Sequence, residues 1–287
     1  MMSRPTFSYK LRLAAALVRR VRGPKLIHEK KLIVVMPAYN AQATVEKTFR
    51  EIPAGFVDEV VLVDDASRDQ TAAVARELGL VVLRHPKNRG YGGNQKTCYG
   101  QALQLGGDVV VMLHPDYQYS PRLVVAMASM IATGQYDIIL ASRILGGTAI
   151  RGRMPIYKYI MNRLLTLFQN ILMGAKVSEY HTGYRAFSRK VLESLPLEEN
   201  SDDFVFDNEM LAQAHYFGFS IGEVSCPARY EPESSSISFK RSVKYGFGVL
   251  STTLRYRMQK WKLAKFPIFN PDGRRLAAPV SETTTTT

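Results

Sequence analysis

The sequence predicts an α/β protein with a mostly parallel, doubly wound sheet flanked by helices, and three observations carry this prediction. Short apolar runs alternate with helical patterns between residues 32 and 141. A polar or glycine-rich segment follows most of these runs, as loops follow buried strands. The chain of 287 residues is 46% hydrophobic and 22% charged, which is typical of a globular protein with one sizeable core.

Five apolar runs predict the strands of this sheet, because short runs bounded by turn residues are typical of buried strands. They are Leu32–Met36, Glu59–Val63, Leu80–Arg84, Val109–Leu113 and Tyr136–Ala141. Helices are predicted over 41–51 and 70–78, and a third helix ends near Leu105. The glycine-rich segment 86–94 precedes this third helix as a loop.

The pattern changes after residue 150, where longer helical stretches begin. Helices are expected over 156–173, 206–217 and 239–261, with a short strand over 220–224. The first and last of these helices carry an apolar stripe with basic residues beside it. Two interpretations stay open: the stripes pack in the core, or the helices lie on an anionic membrane surface.

Four segments are predicted along the chain. Residues 1–31 form a basic amphipathic segment that either packs on the protein body or lies on a membrane surface. The main α/β domain spans 32–235, and a region of amphipathic helix spans 236–266. A disordered tail is expected over 267–287.

Composition narrows the classes of function. A formal net charge of +13 predicts an anionic partner, such as nucleic acid, anionic lipid or a phosphorylated substrate. The two cysteines, Cys98 and Cys226, are too few for a disulfide framework or a cysteine metal cluster. No apolar run reaches the roughly 18 residues that span a bilayer, so a cytosolic protein is expected.

The strand Val109–Leu113 ends in polar residues, at the sheet edge where ligands bind in open α/β folds. His114, Asp116 and Gln118 occupy alternate positions directly after it. In an extended segment these three side chains point the same way and can converge on one cation. The stretch therefore predicts a metal–diphosphate site.

Two aspartates, Asp64 and Asp65, follow the second strand. A carboxylate at this position can accept hydrogen bonds from a nucleotide base or from ribose hydroxyls. The loop Pro37–Tyr39 after the first strand offers a flat surface for the base. Ser67 and Asp69 have a second interpretation, since both residue types cap the amino ends of helices.

The glycine-rich segment contains Gly90, Gly92 and Gly93, which permit close approach of the backbone to a phosphate. It matches neither the Walker pattern nor the dinucleotide-binding pattern. Together with Arg89 and Lys96 it predicts contacts with a phosphorylated donor.

Several motifs occur in a fixed order along the chain: Pro37–Asn40, Val63–Ser67, Asn88–Gly90, His114–Gln118, Ala141–Arg143 with Gly146 and Gly147, and Thr182–Arg185. This ordered set, over roughly residues 30–260, resembles family 2 glycosyltransferases and especially the dolichyl-phosphate mannose synthase group. The resemblance implies a GT-A fold, Rossmann-like, and inverting transfer of a sugar from a nucleoside diphosphate sugar. No single motif carries it.

The resemblance also implies roles for individual residues. Pro37, Tyr39 and Asp65 would hold the base and ribose of the donor. Further implied donor contacts are Asp64, Arg89, Lys96, His114 and Pro115. The implied acceptor contacts are Arg143, Thr182, Gly183, Tyr184 and Arg185.

Catalysis would rest on a divalent metal and on arginines. By the same resemblance, Asp116 and Gln118 would hold Mg²⁺ or Mn²⁺ between the two donor phosphates. Arg143 and Arg229 would contact the diphosphate or a phosphate acceptor, although the family's second basic residue aligns with Arg229 only to within two positions. A metal and arginines stabilise the negative charge that develops on the leaving diphosphate.

His114 stands where the family usually has the first aspartate of its Asp-x-Asp motif. Mg²⁺ prefers oxygen ligands, whereas imidazole suits Mn²⁺ and later metals better. Two interpretations stay open. Either the site keeps a metal through Asp116, Gln118 and the diphosphate, with His114 as a ligand or a contact of the donor, or the protein is a non-catalytic relative.

The acceptor decides whether the reaction needs a general base. A phosphate acceptor is already ionised, whereas a sugar hydroxyl must lose a proton. Candidate bases for a hydroxyl are Asp207, Glu209, Glu179 and His181, each of which has an alternative role as a solvated or capping residue.

The expected function is a metal-dependent hexosyltransferase that uses a lipid phosphate of the polyprenyl type, working as a peripheral protein on the cytosolic face of a membrane. Two rivals are the same fold acting on a soluble or glycan hydroxyl, and a catalytically silent nucleotide-sugar binder. A nucleic-acid-binding module accounts for the charge but not for the order of the motifs. Oligomeric state is not predicted.

Overall fold

The structure is a computed structural model that describes residues 27, 29–152, 154–227 and 239–276. Residues 1–26 and 28 of the predicted amphipathic segment 1–31, the candidate Arg229 and residues 277–287 lie outside these described residues. The seven strands that form the sheet in the described part are β1 (Leu32–Ala38), β2 (Glu59–Asp64), β3 (Val81–Arg84), β4 (Val109–Met112), β5 (Ile138–Ser142), β6 (Arg185–Ser188) and β7 (Ile221–Ser225).

The sheet has the strand order β3-β2-β1-β4-β6-β5-β7. Strand β1 runs parallel to β2 and β4, with Val34 opposite Val60 and Val111, and β2 runs parallel to β3. Strand β6 runs antiparallel to both β4 and β5, so β4 and β5 point the same way. The carboxyl ends of β1, β2, β4 and β5 therefore meet at one edge, where β6 begins.

Eight α-helices flank the sheet in the described part of the chain. They are α1 (Val45–Arg50), α2 (Thr71–Glu77), α3 (Gly90–Gln104), α4 (Val124–Ala132), α5 (Ile156–Met173), α6 (Arg189–Ser194), α7 (Phe206–Tyr216) and α8 (Phe239–Lys260). Single 3₁₀ turns lie at Pro121–Leu123, Leu197–Glu199 and Pro267–Phe269.

The core consists of two layers, one on each face of the sheet, because successive side chains of a strand point to opposite faces. Ile33 and Val35 of β1 pack with residues of α3, α6 and α7. Val34 and Met36 pack with residues of α1, α2 and α4 on the other face. Fully burying an aliphatic side chain contributes roughly 1.5–3 kcal/mol to the stability of the fold. Central strands that are covered on both faces are therefore apolar on both faces.

The predicted α/β class and mostly parallel sheet are confirmed, and all five predicted strands of the first half exist with ends shifted by one or two residues. The predicted strand at 220–224 is β7. Helices α4 and α6 and the antiparallel strand β6 were not predicted. Strand β6 is only four residues long and follows directly on a motif, so its apolar pattern is short.

The predicted disordered tail, residues 267–287, includes residues that are folded in the structure. Ile268 and Phe269 are buried in the core against α7 and α8, because they carry apolar side chains that fill the end of that layer. Arg274 forms an ion pair with Glu199, with 2.9 Å between Nε and Oε1. Residues 267–276 are therefore part of the folded domain.

The two cysteines, Cys98 and Cys226, are buried and do not form a disulfide with each other. Within the described residues, no helix is both long enough and apolar enough to cross a membrane.

Candidate active site

The polar residues singled out in the sequence lie at the edge where β1, β2, β4 and β5 end. The loops after β1 and β2 are tied together across this edge. The amide of Asn40 donates to Ser67 Oγ at 2.8 Å, and the amide of Gln42 donates to Asp69 Oδ2 at 3.1 Å. Tyr39 projects from the first loop with half of its surface exposed, so its ring is available to a flat ligand.

Asp65 connects the β2 loop to the start of α3. Its carboxylate accepts hydrogen bonds from the amides of Arg89 and Gly90, at 2.8 and 3.1 Å, and from His85 Nδ1 at 2.7 Å. Asp64 is fully buried and pairs with Arg84 at 3.1 Å. These carboxylates first hold the protein's own loops in place, and Asp65 retains acceptor capacity beyond its three partners.

The glycines of segment 86–94 have a different role from the predicted one. Helix α3 begins at Gly90, and the amides of Gly92 and Gly93 donate to the carbonyl oxygen of Asp202. A Cβ atom at Gly92 would lie 2.4 Å from the carbonyl oxygen of Ser201. The close approach is thus to the protein's own backbone rather than to a phosphate.

Lys96 is also engaged with the protein's own backbone. Its ammonium is buried and donates to the carbonyl of Asn200 at 2.6 Å and to Asp202 Oδ1 at 2.8 Å. Both partners belong to the loop before α7, so Lys96 holds that loop in this structure. Arg89 remains exposed at the start of α3.

The segment after β4 is a turn, so the prediction of an extended stretch is wrong. Tyr117 has a positive φ of 60°, which breaks the alternation on which that prediction depended. The amide of Gln118 donates to Asp116 Oδ1 at 3.1 Å, and Thr48 Oγ1 donates to the carbonyl of the buried Pro115 at 3.3 Å. The carboxylate of Asp116 therefore lies beside the backbone of Gln118 at the end of β4.

His114 belongs to a chain of hydrogen bonds that the sequence did not reveal. Its Nε2 lies 3.0 Å from the hydroxyl of Tyr91, and that hydroxyl donates to Asp207 Oδ2 at 2.7 Å. Asp207 in turn lies 3.5 Å from the guanidinium of Arg185. Burial lowers the pKa of the His114 imidazole, although the nearby carboxylates of Asp116 and Asp207 oppose the shift.

Three of the predicted acceptor contacts, Thr182, Tyr184 and Arg185, are completely buried. Arg185 donates to the carbonyls of Tyr180, Thr182 and Asp207 at 2.6–3.0 Å. Its side chain thus crosslinks the amino end of β6 to α7. Gly183 lies against the His114 ring, and its amide donates to the hydroxyl of Tyr119 at 2.9 Å.

Arg143 lies at the end of β5 and is paired with the fully buried Glu179. Arg143 Nε donates to Glu179 Oε1 at 3.0 Å, Nη2 contacts the same oxygen more closely, and Nη2 also donates to the carbonyl of His181 at 3.0 Å. Burial opposes ionisation of Glu179, but the charge and hydrogen bonds of Arg143 outweigh burial and lower the pKa of this carboxyl. The guanidinium is thereby held in one orientation beside the ring of Tyr119, 5.7 Å from its centroid.

The candidate general bases are all engaged within the protein. Glu179 holds Arg143, Asp207 accepts from Tyr91, and Glu209 accepts from the amide of Ser201 at 2.7 Å. Burial raises the pKa of the Glu209 carboxyl. His181 Nδ1 lies 2.8 Å from the hydroxyl of Tyr245, and burial lowers the pKa of His181 to about 4.

Helices α5 and α8 pack against each other beside Arg143, and both turn apolar side chains outward. The residues of this outward face that are at least 40% exposed are Ile156, Tyr157, Ile160, Met161, Leu164, Leu167 and Ile171 of α5, and Val243, Phe247, Leu254 and Met258 of α8. The buried side of α5 is polar instead: Asn162, Thr166 and Gln169 are each less than 8% exposed. The interpretation that the stripes form core is therefore wrong.

The polar inner side of these helices reaches the site directly. Asn162 Nδ2 of α5 donates to Glu179 Oε1 at 2.9 Å, and Tyr245 of α8 contacts His181. Lys158 lies close enough to Arg143 that burial and the positive charge of Arg143 lower the pKa of its ammonium. Tyr91, Lys158 and Tyr245 were missed in the sequence, because no motif marks residues that face the site from helices.

The donor atoms at the end of β4 suit a divalent cation. They comprise the carboxylate of Asp116, the amide oxygen of Gln118 and an imidazole nitrogen of His114. Among the described residues, no group of three His, Cys, Asp or Glu side chains is placed to hold a metal by itself. A cation here would need further ligands, such as phosphate oxygens.

Comparison with known proteins agrees with this geometry. Residues 33–195 match the family described as Glycosyl transferase family 2. A UDP-N-acetylglucosamine–dolichyl-phosphate N-acetylglucosaminyltransferase of Methanococcus voltae is 25% identical over 249 residues, covering 81% of this chain and 98% of that protein. A polyprenol monophosphomannose synthase of Mycolicibacterium smegmatis is 25% identical over 202 residues, covering 68% of this chain and 76% of that protein.

The fold also has solved relatives. Glucosyl-3-phosphoglycerate synthase of Mycobacterium tuberculosis, crystallised with Mn²⁺, uridine diphosphate and phosphoglyceric acid, superposes with a TM-score of 0.61. It is 20% identical, and the match covers 90% of this chain and 85% of that chain.

Proposed function

The chain belongs to glycosyl transferase family 2, and from that premise we propose that it transfers a hexose, with inversion, from a nucleoside diphosphate sugar to a polyprenyl-type phosphate at the surface of a membrane. The fold is that of the GT-A glycosyltransferases. The names of two relatives, those from Methanococcus voltae and Mycolicibacterium smegmatis, give a dolichyl-phosphate and a polyprenol acceptor, which supports the proposed acceptor class.

We assign the donor to the edge formed by the loops after β1, β2 and β4. Tyr39 is exposed for stacking on a base, and Asp65 has acceptor capacity for a base or ribose. Asp116, Gln118 and His114 would hold a divalent cation together with the diphosphate. When bound, that cation would neutralise charge on the leaving diphosphate. The Mn²⁺ and uridine diphosphate of the tuberculosis enzyme support this assignment.

Arg143 is the proposed contact for a phosphate of the donor or the acceptor. Its pairing with Glu179 orients the guanidinium before any ligand arrives, so less conformational freedom is lost on binding. Lys158 lies nearby and adds positive charge. An acceptor phosphate is ionised at neutral pH, so the absence of a disengaged base among the four predicted candidates is compatible with this acceptor.

The outward apolar face of α5 and α8 is the observation that carries the lipid acceptor. An exposed apolar surface of this extent marks an interaction site in a soluble fold. The same two helices contact Glu179 and His181 with their inner sides, so the apolar surface lies next to the proposed phosphate site. Exposed basic residues border it, including Arg163, Lys244, Arg255 and Lys260, which favours an anionic leaflet.

Transfer of radiolabelled sugar tests the acceptor. Purified protein would be incubated with a labelled nucleotide sugar, Mn²⁺ or Mg²⁺, and polyprenyl phosphate in detergent, and the product would be partitioned between organic and aqueous phases. We expect the label in the organic phase. A product found only in the aqueous phase would favour a hydroxyl acceptor, and donor binding without turnover would favour a silent binder.

Vesicle sedimentation tests the membrane surface separately. Vesicles containing phosphatidylglycerol should bind the protein. The double variant Leu164→Glu/Phe247→Glu should bind them about 10-fold more weakly or worse, because each substitution removes an apolar side chain whose burial is worth roughly 1.5–3 kcal/mol. Phe56→Glu is the matched control, because Phe56 is exposed but lies outside this face. Equal binding of all three proteins would contradict the assignment. The cytosolic leaflet is part of the same proposal.

A further inference from the structure

The hydroxyl of Tyr91 lies between a carboxylate and an imidazole. It is 2.7 Å from Asp207 Oδ2 and 3.0 Å from His114 Nε2. Asp207 also accepts from Gln95 Nε2 at 2.9 Å and lies 3.5 Å from the Arg185 guanidinium. With a cation and a second donor beside it, Asp207 acts as an ionised hydrogen-bond acceptor.

The single proton of the Tyr91 hydroxyl determines the tautomer of His114. A phenol has one proton to donate, and the ionised Asp207 has none, so the Tyr91 proton points to Asp207. The Tyr91 oxygen is then an acceptor toward His114. Because the contact at 3.0 Å is a hydrogen bond, His114 Nε2 must carry the proton, and Nδ1 of the neutral ring keeps a lone pair.

Packing holds the ring in one orientation. The rings of Tyr91 and His114 stack with centroids 5.4 Å apart and an interplanar angle of 16°, and Phe204 stacks on Tyr91 at 4.8 Å. A Cβ atom at Gly183 would lie 2.7 Å from Nε2 and 2.8 Å from Cδ2 of His114. That edge of the ring is therefore pressed against the Gly183 backbone, and the edge with Nδ1 faces away from it.

We propose that Tyr91 and Asp207 are positioning residues that lock His114 in the Nε2–H tautomer, so that Nδ1 presents its lone pair to the divalent cation beside Asp116. The inference rests on the proposed metal–diphosphate site. Among the described residues, none hydrogen-bonds to Nδ1. A lone pair cannot donate to a diphosphate oxygen, but it can bind a cation, so His114 is a metal ligand rather than a direct contact of the donor phosphates.

The ligand set then favours Mn²⁺ over Mg²⁺. Imidazole nitrogen raises the affinity for later divalent metals, whereas Mg²⁺ prefers an all-oxygen environment. Replacing His114 by aspartate restores an oxygen ligand. We expect the ratio of Mg²⁺ to Mn²⁺ dissociation constants to fall in His114→Asp relative to the wild type, by about 10-fold.

The tautomer is measured without metal or donor by ¹⁵N NMR of histidine-labelled protein. We expect one protonated and one unprotonated ring nitrogen for His114, with the proton on Nε2. Tyr91→Phe should shift both nitrogens toward averaged values, and Tyr180→Phe, which loses a buried hydrogen bond to Asn170 outside this chain of bonds, should leave them unchanged. A proton on Nδ1, or insensitivity to Tyr91→Phe, would overturn the proposal.

Coordination is measured by electron spin-echo spectroscopy of Mn²⁺ with UDP and, in parallel, with GDP. We expect coupling to a histidine nitrogen that changes with ¹⁵N labelling and disappears in His114→Asp, and Tyr91→Phe should weaken Mn²⁺ binding by about 10-fold. Bound Mn²⁺ without histidine coupling, or no Mn²⁺ binding, would refute the ligand role. Histidine coupling without sugar transfer would support this inference while contradicting the proposed function.

Discussion

The two halves of the site differ in how the sequence motifs meet the fold. In the donor half, residues 32–119, polar residues follow parallel strands and lie on loops at the carboxyl edge of the sheet. In the acceptor half, residues 138–260, the motif Thr182–Arg185 leads into the antiparallel strand β6 and is buried. A motif after a parallel strand thus faces the ligand edge, whereas one before an antiparallel strand can serve the core.

The largest effect on stability is expected in the acceptor half, at the buried Arg185. Arg185→Met should lower the free energy of unfolding by about 3–5 kcal/mol, because it leaves the carboxylate of Asp207 buried without its cation. Chemical denaturation measures this loss. Arg189→Met, which alters a partly exposed arginine paired with Glu193, should cost less than about 1 kcal/mol. Unchanged stability of Arg185→Met together with weaker acceptor binding would contradict this expectation and favour the predicted role of Arg185 as an acceptor contact.

In the donor half, the largest expected effect of a substitution is on the rate of sugar transfer and not on stability. Asp116→Asn should reduce sugar transfer about 100-fold or more, since it weakens the carboxylate that would hold the metal at the leaving diphosphate. Circular dichroism and thermal unfolding should match the wild type, because Asp116 lies in a surface turn. Glu77→Gln, an exposed substitution at the end of α2, is the control. Full activity of Asp116→Asn would remove the proposed metal site.

The same comparison explains which predictions succeeded. Strands β1, β4 and β5 could be predicted because apolar runs buried on both faces leave a local signal. Strands β2 and β3 are less buried, and they could be predicted because turn residues bound their short apolar runs. The contacts of Gly92 and Lys96 could not be predicted from the sequence. Both residues contact the loop at residues 200–202, which lies more than a hundred positions later in the chain. Likewise, nothing local to Tyr91 indicates that it bonds to His114.

The amphipathic helices illustrate a different limit. Periodicity predicted helix α5 with its observed bounds, but it carries no information on which face is buried. The apolar face is exposed, and Asn162 on the opposite side donates to Glu179, which pairs with Arg143. Tertiary contacts near the site decided the orientation.

A moderate effect of pH should arise in the acceptor half. Burial lowers the pKa of His181 to about 4 from its ordinary value of 6.5, so the unfolded chain binds a proton in this window that the folded protein does not. Stability should therefore fall as pH decreases from 6.5 to 4, with a slope from this residue of at most about 1.4 kcal/mol per pH unit.

The slope can be assigned to His181 by substitution. His181→Asn should flatten it in denaturation curves measured across this range, and the remainder should include His114, whose pKa burial also lowers. Glu179 acts only at lower pH, because its depressed pKa keeps its stabilising contribution until the pH falls through that value. An unaltered slope in His181→Asn would indicate that this imidazole is not desolvated.

The smallest effect on stability is expected in helix α5, whose buried side is polar and whose exposed side is apolar. Gln169 is buried, and neither atom of its amide has a hydrogen-bond partner among the described residues. Gln169→Leu should therefore raise the free energy of unfolding by about 1 kcal/mol in solution, because it removes an unsatisfied polar group from the interior. Leu167→Gln on the exposed face should leave stability within about 0.5 kcal/mol but weaken binding to anionic vesicles. The opposite pattern, with Leu167→Gln destabilising in the absence of lipid, would mean that the outward face is covered by part of the chain itself.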